Sequence, residues 1–323
     1  MTTQPLSPTD LKDYEERLRA AAKAQPGSVP YTSTRPIRIP GRMQGKSLGE
    51  CLSLLCPHIE ADQWALALRE ERLRVDGRKF SWDESAFGGM EVLYTTHGRV
   101  EPEVSDQIEL LAMDSDLVVL QKPAPLPVHP CGRFNKNTLL KFIETAWPHE
   151  TVRPAHRIDA ATTGILVLTR NKEAAHYVQS QFANREVQKT YLVRVQGTPE
   201  EDSFRVDDRI DLSVGEAGRR SLSKDGASAQ TDFRVVQRCG DGTTLLYAYP
   251  LSGRTNQIRL HLQGCGFPIV GDNAYGARDD VEGGMVDPNL ILHLHAHGIA
   301  FRHPKTQERT EYLSRAPDWA SEA

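Results

Sequence analysis

A chain of 323 residues, 39% of them hydrophobic, is long enough to bury a sizeable core in one to three domains. No run approaches the roughly 20 consecutive apolar residues of a membrane helix, and the opening MTTQPLSPTD carries no basic-then-apolar leader, so the expectation is a soluble, cytoplasmic protein with no membrane partner. A formal net charge of −4 excludes a globally basic nucleic-acid binder and restricts any such site to a local patch. The five cysteines Cys51, Cys56, Cys131, Cys239 and Cys265 are odd in number and lack CxxC spacing, which points to neither a disulfide framework nor a zinc site.

Leu11, Tyr14, Leu18 and Ala21 recur at helical spacing, so an amphipathic helix is expected from Thr9 to Lys23, ending before Pro26 and Gly27. The pattern suggests a peripheral or partly disordered segment. Ser47 and Glu50 have capping-box spacing and open a short helix over Ser47–Leu55, and a second is expected over Asp62–Glu71. Leu73–Lys79 sets an Asp-Gly turn between strand-like flanks and reads as a hairpin.

From Ile108 onward short strands alternate with helices. Strands are expected at Ile108–Met113, Leu117–Gln121, Ile165–Thr169, Thr190–Val195, Thr231–Val236, Thr243–Tyr249 and Ile291–Phe301. Helices are expected at Thr138–Ala146, Lys172–Ala183 and Asn256–Gln263, and the polar stretch Asp211–Ala229 reads as a mobile insertion.

The helix, helix, hairpin order near the N-terminus resembles the small RNA-binding domain first recognised in a ribosomal protein. On that resemblance Arg69, Arg72, Arg74 and Arg78 contact RNA phosphates; the alternative is an ordinary small α+β domain with a solvated arginine face.

The stretch with most chemistry is Ala155-His-Arg-Ile-Asp-Ala-Ala-Thr-Thr-Gly-Ile-Leu-Val-Leu-Thr-Arg170, where a charged loop delivers Arg157 and Asp159 to the mouth of an apolar strand. Arg-x-Asp alone is better read as a structural ion pair. The whole string, however, resembles the central motif of the RluA-type RNA pseudouridine synthases. Further blocks follow in the family's order: Gln121-Lys-Pro-Ala-Pro-Leu-Pro-Val-His-Pro130, Lys189-Thr-Tyr191, Leu251-Ser-Gly-Arg-Thr-Asn-Gln-Ile-Arg-Leu-His-Leu262, Gly271-Asp-Asn-Ala-Tyr-Gly276, Leu294-His-Ala296 and Phe301-Arg-His-Pro304. The resemblance spans roughly residues 101–318 and departs at Asn256, where the family usually has histidine.

The resemblance implies an α+β pseudouridine synthase fold with a mixed, largely antiparallel sheet over residues 101–323. A small ribosomal-protein-like RNA-binding domain at 41–100 and an extension at 1–40 would precede it. It assigns catalysis to Asp159, with Arg254 paired to that carboxylate and Tyr191 stacked on the target base. Leu251 supplies an apolar wall, and Arg157 fills the space a flipped nucleotide leaves. The implied activity is isomerisation of uridine in ribosomal or transfer RNA by a monomer without cofactor or metal.

Three other readings compete with this one. His293, His295 and His297 alternate on one strand face, but no acidic or cysteine ligand lies beside them and a metal site is set aside. Pro130-Cys131 lacks the second cysteine of a deaminase Pro-Cys-x-x-Cys. The rival from another class is an RNA-binding or ribosome-assembly protein that keeps the fold without turnover; retention of Asp159, Tyr191 and Arg254 argues against it.

Overall fold

A computed structural model describes residues 6–57, 59–75, 77–211, 213, 219–275 and 291–320. Asp76, Gly276 and the middle of the Asp211–Ala229 stretch therefore lie outside the described residues. In chain order come α1 (Pro8–Ala24), β1 (Tyr31–Arg38), α2 (Leu48–Leu55), α3 (Ala61–Arg69), β2 (Leu73–Val75) and β3 (Glu91–Arg99). Next are β4 (Glu109–Met113), β5 (Leu117–Lys122), α4 (Leu139–Ala146), β6 (Arg153–Pro154), β7 (Thr163–Thr169), α5 (Lys172–Ala183) and β8 (Gln188–Gln196). The last are β9 (Ser203–Ile210), β10 (Ala227–Arg238), β11 (Thr243–Pro250), α6 (Gln257–Gly264), β12 (Leu294–Arg302) and β13 (Arg309–Leu313).

These elements form two compact units, Gly27–Pro102 and Met1–Pro26 together with Glu103–Ala323. The segment expected as a 1–40 extension is thus divided between them. Helix α1 starts on a Ser7 cap, whose Oγ accepts from Asp10 N at 3.2 Å, with Pro8 in the first turn. Its apolar stripe buries Leu18, Ala21 and Ala22, and Tyr14 meets Trp147 edge-on at 5.4 Å between ring centroids. Arg17 Nη2 donates to Ala146 O and Arg19 Nε to Ile108 O, both at 2.6 Å. Burying Leu18 alone is worth about 1.5–3 kcal/mol. The helix is therefore integral to the larger unit, not peripheral.

In the smaller unit, β1, β3 and β2 make an antiparallel sheet in that order, over a core that includes Trp64, Leu52, Leu73 and Val92. The capping box at Ser47 and Glu50 is formed on both sides. Val75 and Arg78 exchange both backbone hydrogen bonds at 2.9 Å, closing the expected two-residue turn, but β2 takes β3 as its strand partner. The second arm of the expected hairpin is not a strand.

The larger unit is built on a ten-stranded sheet ordered β4-β5-β7-β12-β8-β11-β10-β9, with β13 on β12 and β6 on β7. Among the described strands only β7 and β12 run parallel, so the sheet is mixed and largely antiparallel. One face carries two cores. Leu120, Leu166 and Leu168 pack with α1 and α4, whereas Val193, Leu246 and Phe233 pack with Ile258 and Leu262 of α6. Tyr191 is half-buried against both. Val119, Ile165 and Val167 face the other way, onto Val178 of α5. Where β7 begins, Gly164 has φ +107°, and a Cβ there would lie 2.2 Å from Ala296 O. Only glycine admits this approach of β12, which brings the loop before β7 close to Tyr191 and Leu294.

Candidate active site

The loop between β6 and β7 carries His156, Arg157 and Asp159, and several contacts fix it. His156 Nε2 accepts from Val167 N at 3.2 Å and its ring stacks on Phe182 at 4.9 Å. Burial, then the nearby Lys189 charge, pushes this imidazole down to about 3, so it stays neutral and acts as a post for the loop. On the other side Lys122 is fully buried and donates to Pro123 O at 2.7 Å, Leu126 O at 2.8 Å and Ala160 O at 3.2 Å. Desolvation pulls that ammonium down to about 7, with Asp159 opposing the shift. Lys122 thereby ties the strand end to the residue that follows Asp159.

Asp159 opens onto a cleft of about 440 Å³ lined by residues of this loop, β8, α5 and the segment from Pro250 to Arg259. Its partner is Arg259, whose Nη1 donates to Asp159 Oδ2 at 3.3 Å while Nε and Nη2 grip Asp272, both at 2.7 Å. Asp272 in turn accepts from Ala274 N and Tyr275 N at 2.9 Å. The guanidinium lies over the Tyr275 ring, 4.8 Å from its centroid. Arg259 is thus held by Asp272, Asp159 and the Tyr275 ring, with its planar two-pronged edge on Asp272 and its remaining Nη1 on Asp159.

This corrects the expected pair. Arg254 lies in the turn before α6, is exposed, and sends Nε to Ser228 O at 3.5 Å. Asn256 takes left-handed backbone, φ 58°, and α6 begins after it, so Arg259 sits in the helix's first turn facing Asp159. Gln257 stabilises the preceding turn: Oε1 accepts from Ser252 Oγ and Arg254 N, and Nε2 donates to Gln230 O and Thr231 Oγ1.

Tyr191 lies on β8 opposite Ala248 of β11 and Ala296 of β12, with its side chain in the cleft. Burial and then the charge of Asp159 push its phenol upward, which keeps the hydroxyl protonated. Leu251 is a second correction. Just past the end of β11 the chain turns Pro250 and Ser252 inward and leaves Leu251 39% exposed, outside the lining; Ile158, Ile258 and Leu294 form the apolar wall. Arg157 stands at the rim, its Nη1 donating to His129 Nε2 at 3.4 Å and Nη2 to Thr255 Oγ1 at 3.5 Å. Arg157, Arg185, Lys189, Arg254 and Arg259 line the cleft against one carboxylate, Asp159, among its described residues. A net-acidic chain thus holds a local basic site.

The arginines of the smaller unit stand differently. Arg72 pairs with Glu70 and Arg74 with Glu71, both at 2.8 Å, and Arg78 grips Glu84 at 2.5 and 3.1 Å. Arg69 ends α3 and is exposed. The unit carries ten lysines and arginines against ten aspartates and glutamates, so it has no basic excess. Of the alternating histidines, His295 bridges Thr163 Oγ1 at 2.7 Å and Ser314 Oγ at 2.5 Å, and His293 stacks on Trp319 at 4.7 Å. They join β12 to the residues that cover it.

Comparison with known proteins places this geometry. Residues 116–264 match the RNA pseudouridylate synthase family. The chain is 30% identical to an uncharacterized RNA pseudouridine synthase, YlyB, of Bacillus subtilis, over 68% of this chain and 74% of that one. It is 28% identical to the ribosomal large subunit pseudouridine synthase D of Nitrosomonas europaea, over 98% and 94%. The solved human RNA pseudouridylate synthase domain containing 1 superposes with a TM-score of 0.55 at 26% identity, covering 68% of this chain and 87% of that one. The chain belongs to the RluA-type family of RNA pseudouridine synthases. It spans 33% to 56% of the length of some other curated relatives it matches.

Proposed function

We propose that this protein isomerises uridine to pseudouridine in ribosomal or transfer RNA, with Asp159 as the reacting carboxylate. The observation that carries the reading is Asp159 in the lining of a basic cleft, opposed by Arg259 and neighboured by Tyr191. The size suits one nucleotide turned out of its stack, since ligand clefts run from about 300 to 1,000 Å³.

In the reaction the N1–C1′ bond breaks, the uracil turns in place, and a C5–C1′ bond forms. The C5 hydrogen leaves to solvent and N1 takes up a proton, so no electrons are gained or lost. A carboxylate serves this sequence either by attacking C1′ or by removing the 2′ proton. Tyr191 offers a face for the turning base and a protonated hydroxyl beside it. The cationic rim holds the flanking phosphates. Ribosomal RNA is supported by the full-length similarity to the Nitrosomonas protein, which is named for the large ribosomal subunit.

Release of tritium from RNA labelled at uridine C5 tests the activity, and sites of pseudouridine lost on deleting the gene identify the target. Turnover is expected; an RNA-binding protein on this fold would bind the same RNA and release none.

A further inference from the structure

Asn256 occupies the position where the family usually has histidine, and it does not behave as an ordinary helix cap. It precedes the first residue of α6, yet its side chain makes no hydrogen bond to the helix backbone. Asparagine at such a position normally accepts from the second or third helical N–H. Here the amide is turned elsewhere. Oδ1 accepts from Arg259 Nη1 at 3.2 Å, and Nδ2 donates to Tyr275 Oη at 2.9 Å. The orientation is forced, because a guanidinium can only donate and must face the amide oxygen.

Tyr275 is almost wholly buried, at 5% exposure, and holds both ends of this arrangement. Its ring lies under the Arg259 guanidinium, and its hydroxyl accepts from Arg220 N at 2.8 Å as well as from Asn256. Arg220 lies in the polar stretch after β9, where Ile210 bridges Leu222 and Asp211 N donates to Ser221 O at 2.9 Å. A buried hydroxyl therefore connects that returning arm to the amide that faces Arg259.

We propose that Asn256 and Tyr275 are positioning residues for the reaction: they fix the Arg259 Nη1 that faces Asp159, and they hold the arm around Arg220 to the same point. The inference rests on the reading of Asp159 as the reacting carboxylate. Asp272 sets the Nε and Nη2 edge of the guanidinium, and without Asn256 the Nη1 prong keeps only its longer contact to Asp159. A polar group held in advance in a desolvated site acts on the reaction without moving, which is where its effect on rate comes from.

The test uses the whole 323-residue chain and three variants. Asn256→Gly keeps the left-handed backbone, which glycine adopts freely, and removes only the amide. Tyr275→Phe keeps the ring under Arg259 and removes only the hydroxyl. The third variant combines the two. Single-turnover pseudouridine formation, RNA dissociation constants and thermal melting are measured for each. Each single variant is expected to slow the single-turnover rate about tenfold or more: Asn256→Gly removes a hydrogen bond to a charged group, and Tyr275→Phe frees the amide that makes it. RNA affinity should stay within about twofold, and the double variant should be no slower than the slower single one, as expected for two residues acting through one contact.

Wild-type rates in either folded single variant, multiplicative losses in the double, or a rate loss mirrored by weaker RNA binding would overturn the proposal. Should Asn256→Gly melt below the assay temperature, Tyr275→Phe decides alone. A wild-type protein that releases no tritium from any RNA instead refutes the reading of the site, and the positioning role falls with it.

Discussion

Arg259→Ala removes the side chain that joins Asp159 to Asp272. Arg259 is 12% exposed and the Asp272 side chain fully buried, so truncation leaves a buried carboxylate with the Ala274 and Tyr275 amides as its partners among the described residues. Breaking such a pair from one side costs about 3–5 kcal/mol. The Asp159 contact adds little to that figure, about 1 kcal/mol or less, because it is longer and Asp159 is 36% exposed. Its consequence is kinetic: a carboxylate released from its partner is misplaced, and displacement of about 1 Å can cost on the order of 10²-fold in rate. Arg254→Ala, on an exposed turn, should change stability by no more than about 0.5 kcal/mol. Urea unfolding followed by tryptophan fluorescence measures the first quantity and single-turnover pseudouridine formation the second. An Arg259→Ala protein within about 1 kcal/mol of wild type, or one less impaired in rate than Arg254→Ala, would refute the pairing described here.

Two further outcomes follow from buried groups near the cleft. Lys122 is held at about 7 against an ordinary 10.5, so the unfolded chain binds more protons between those values and its contribution to stability rises with pH across that window. Relative to Lys122→Met, wild type should gain about 2–3 kcal/mol in urea stability from pH 6 to pH 9; parallel profiles would show that the ammonium is not desolvated. Tyr191→Phe should bind RNA as wild type does but turn over more slowly. Tyr191→Ala should also lose about 2–4 kcal/mol of stability, because Tyr191 fills the join between two cores. Wild-type turnover in both variants would show that neither the ring nor the hydroxyl takes part.

Much of the larger unit was legible because its signals are local. The helix at Lys172–Ala183 matches α5, and the apolar runs at Leu117–Gln121 and Thr243–Tyr249 match β5 and β11 to within a residue. Strands β1, β3, β6, β9 and β13 went unread, since β6 is two residues long and the others are half-exposed strands rich in Thr, Arg, Asp or Glu with little apolar alternation. The motifs carrying Asp159 and Tyr191 fix each residue within its own loop or strand, and the structure brings both to one cleft.

Arg254 and Arg259 were a different problem. Both lie in the same quoted motif, five positions apart, and which one faces the carboxylate depends on the left-handed turn at Asn256 and the start of α6. Nothing in the spacing reveals that turn. The arginines of the smaller unit failed for a related reason: the turn at Gly77 is readable, but the pairing of Arg78 with Glu84 arises only when the chain folds back. Lys122 stood in a quoted motif too, yet its burial depends on three carbonyls, one of them 38 positions away at Ala160.

The central claim is that the Asp159 carboxylate performs the isomerisation, and Asp159→Asn tests it most directly. The amide keeps the shape and removes the charge, so fold and RNA affinity should be preserved while tritium release from C5-labelled uridine RNA stops. Asparagine can deamidate back to aspartate, so the measurement is made on freshly purified variant in which the mass of the substituted peptide has been verified. Release at a rate comparable to wild type by such a preparation would contradict the account.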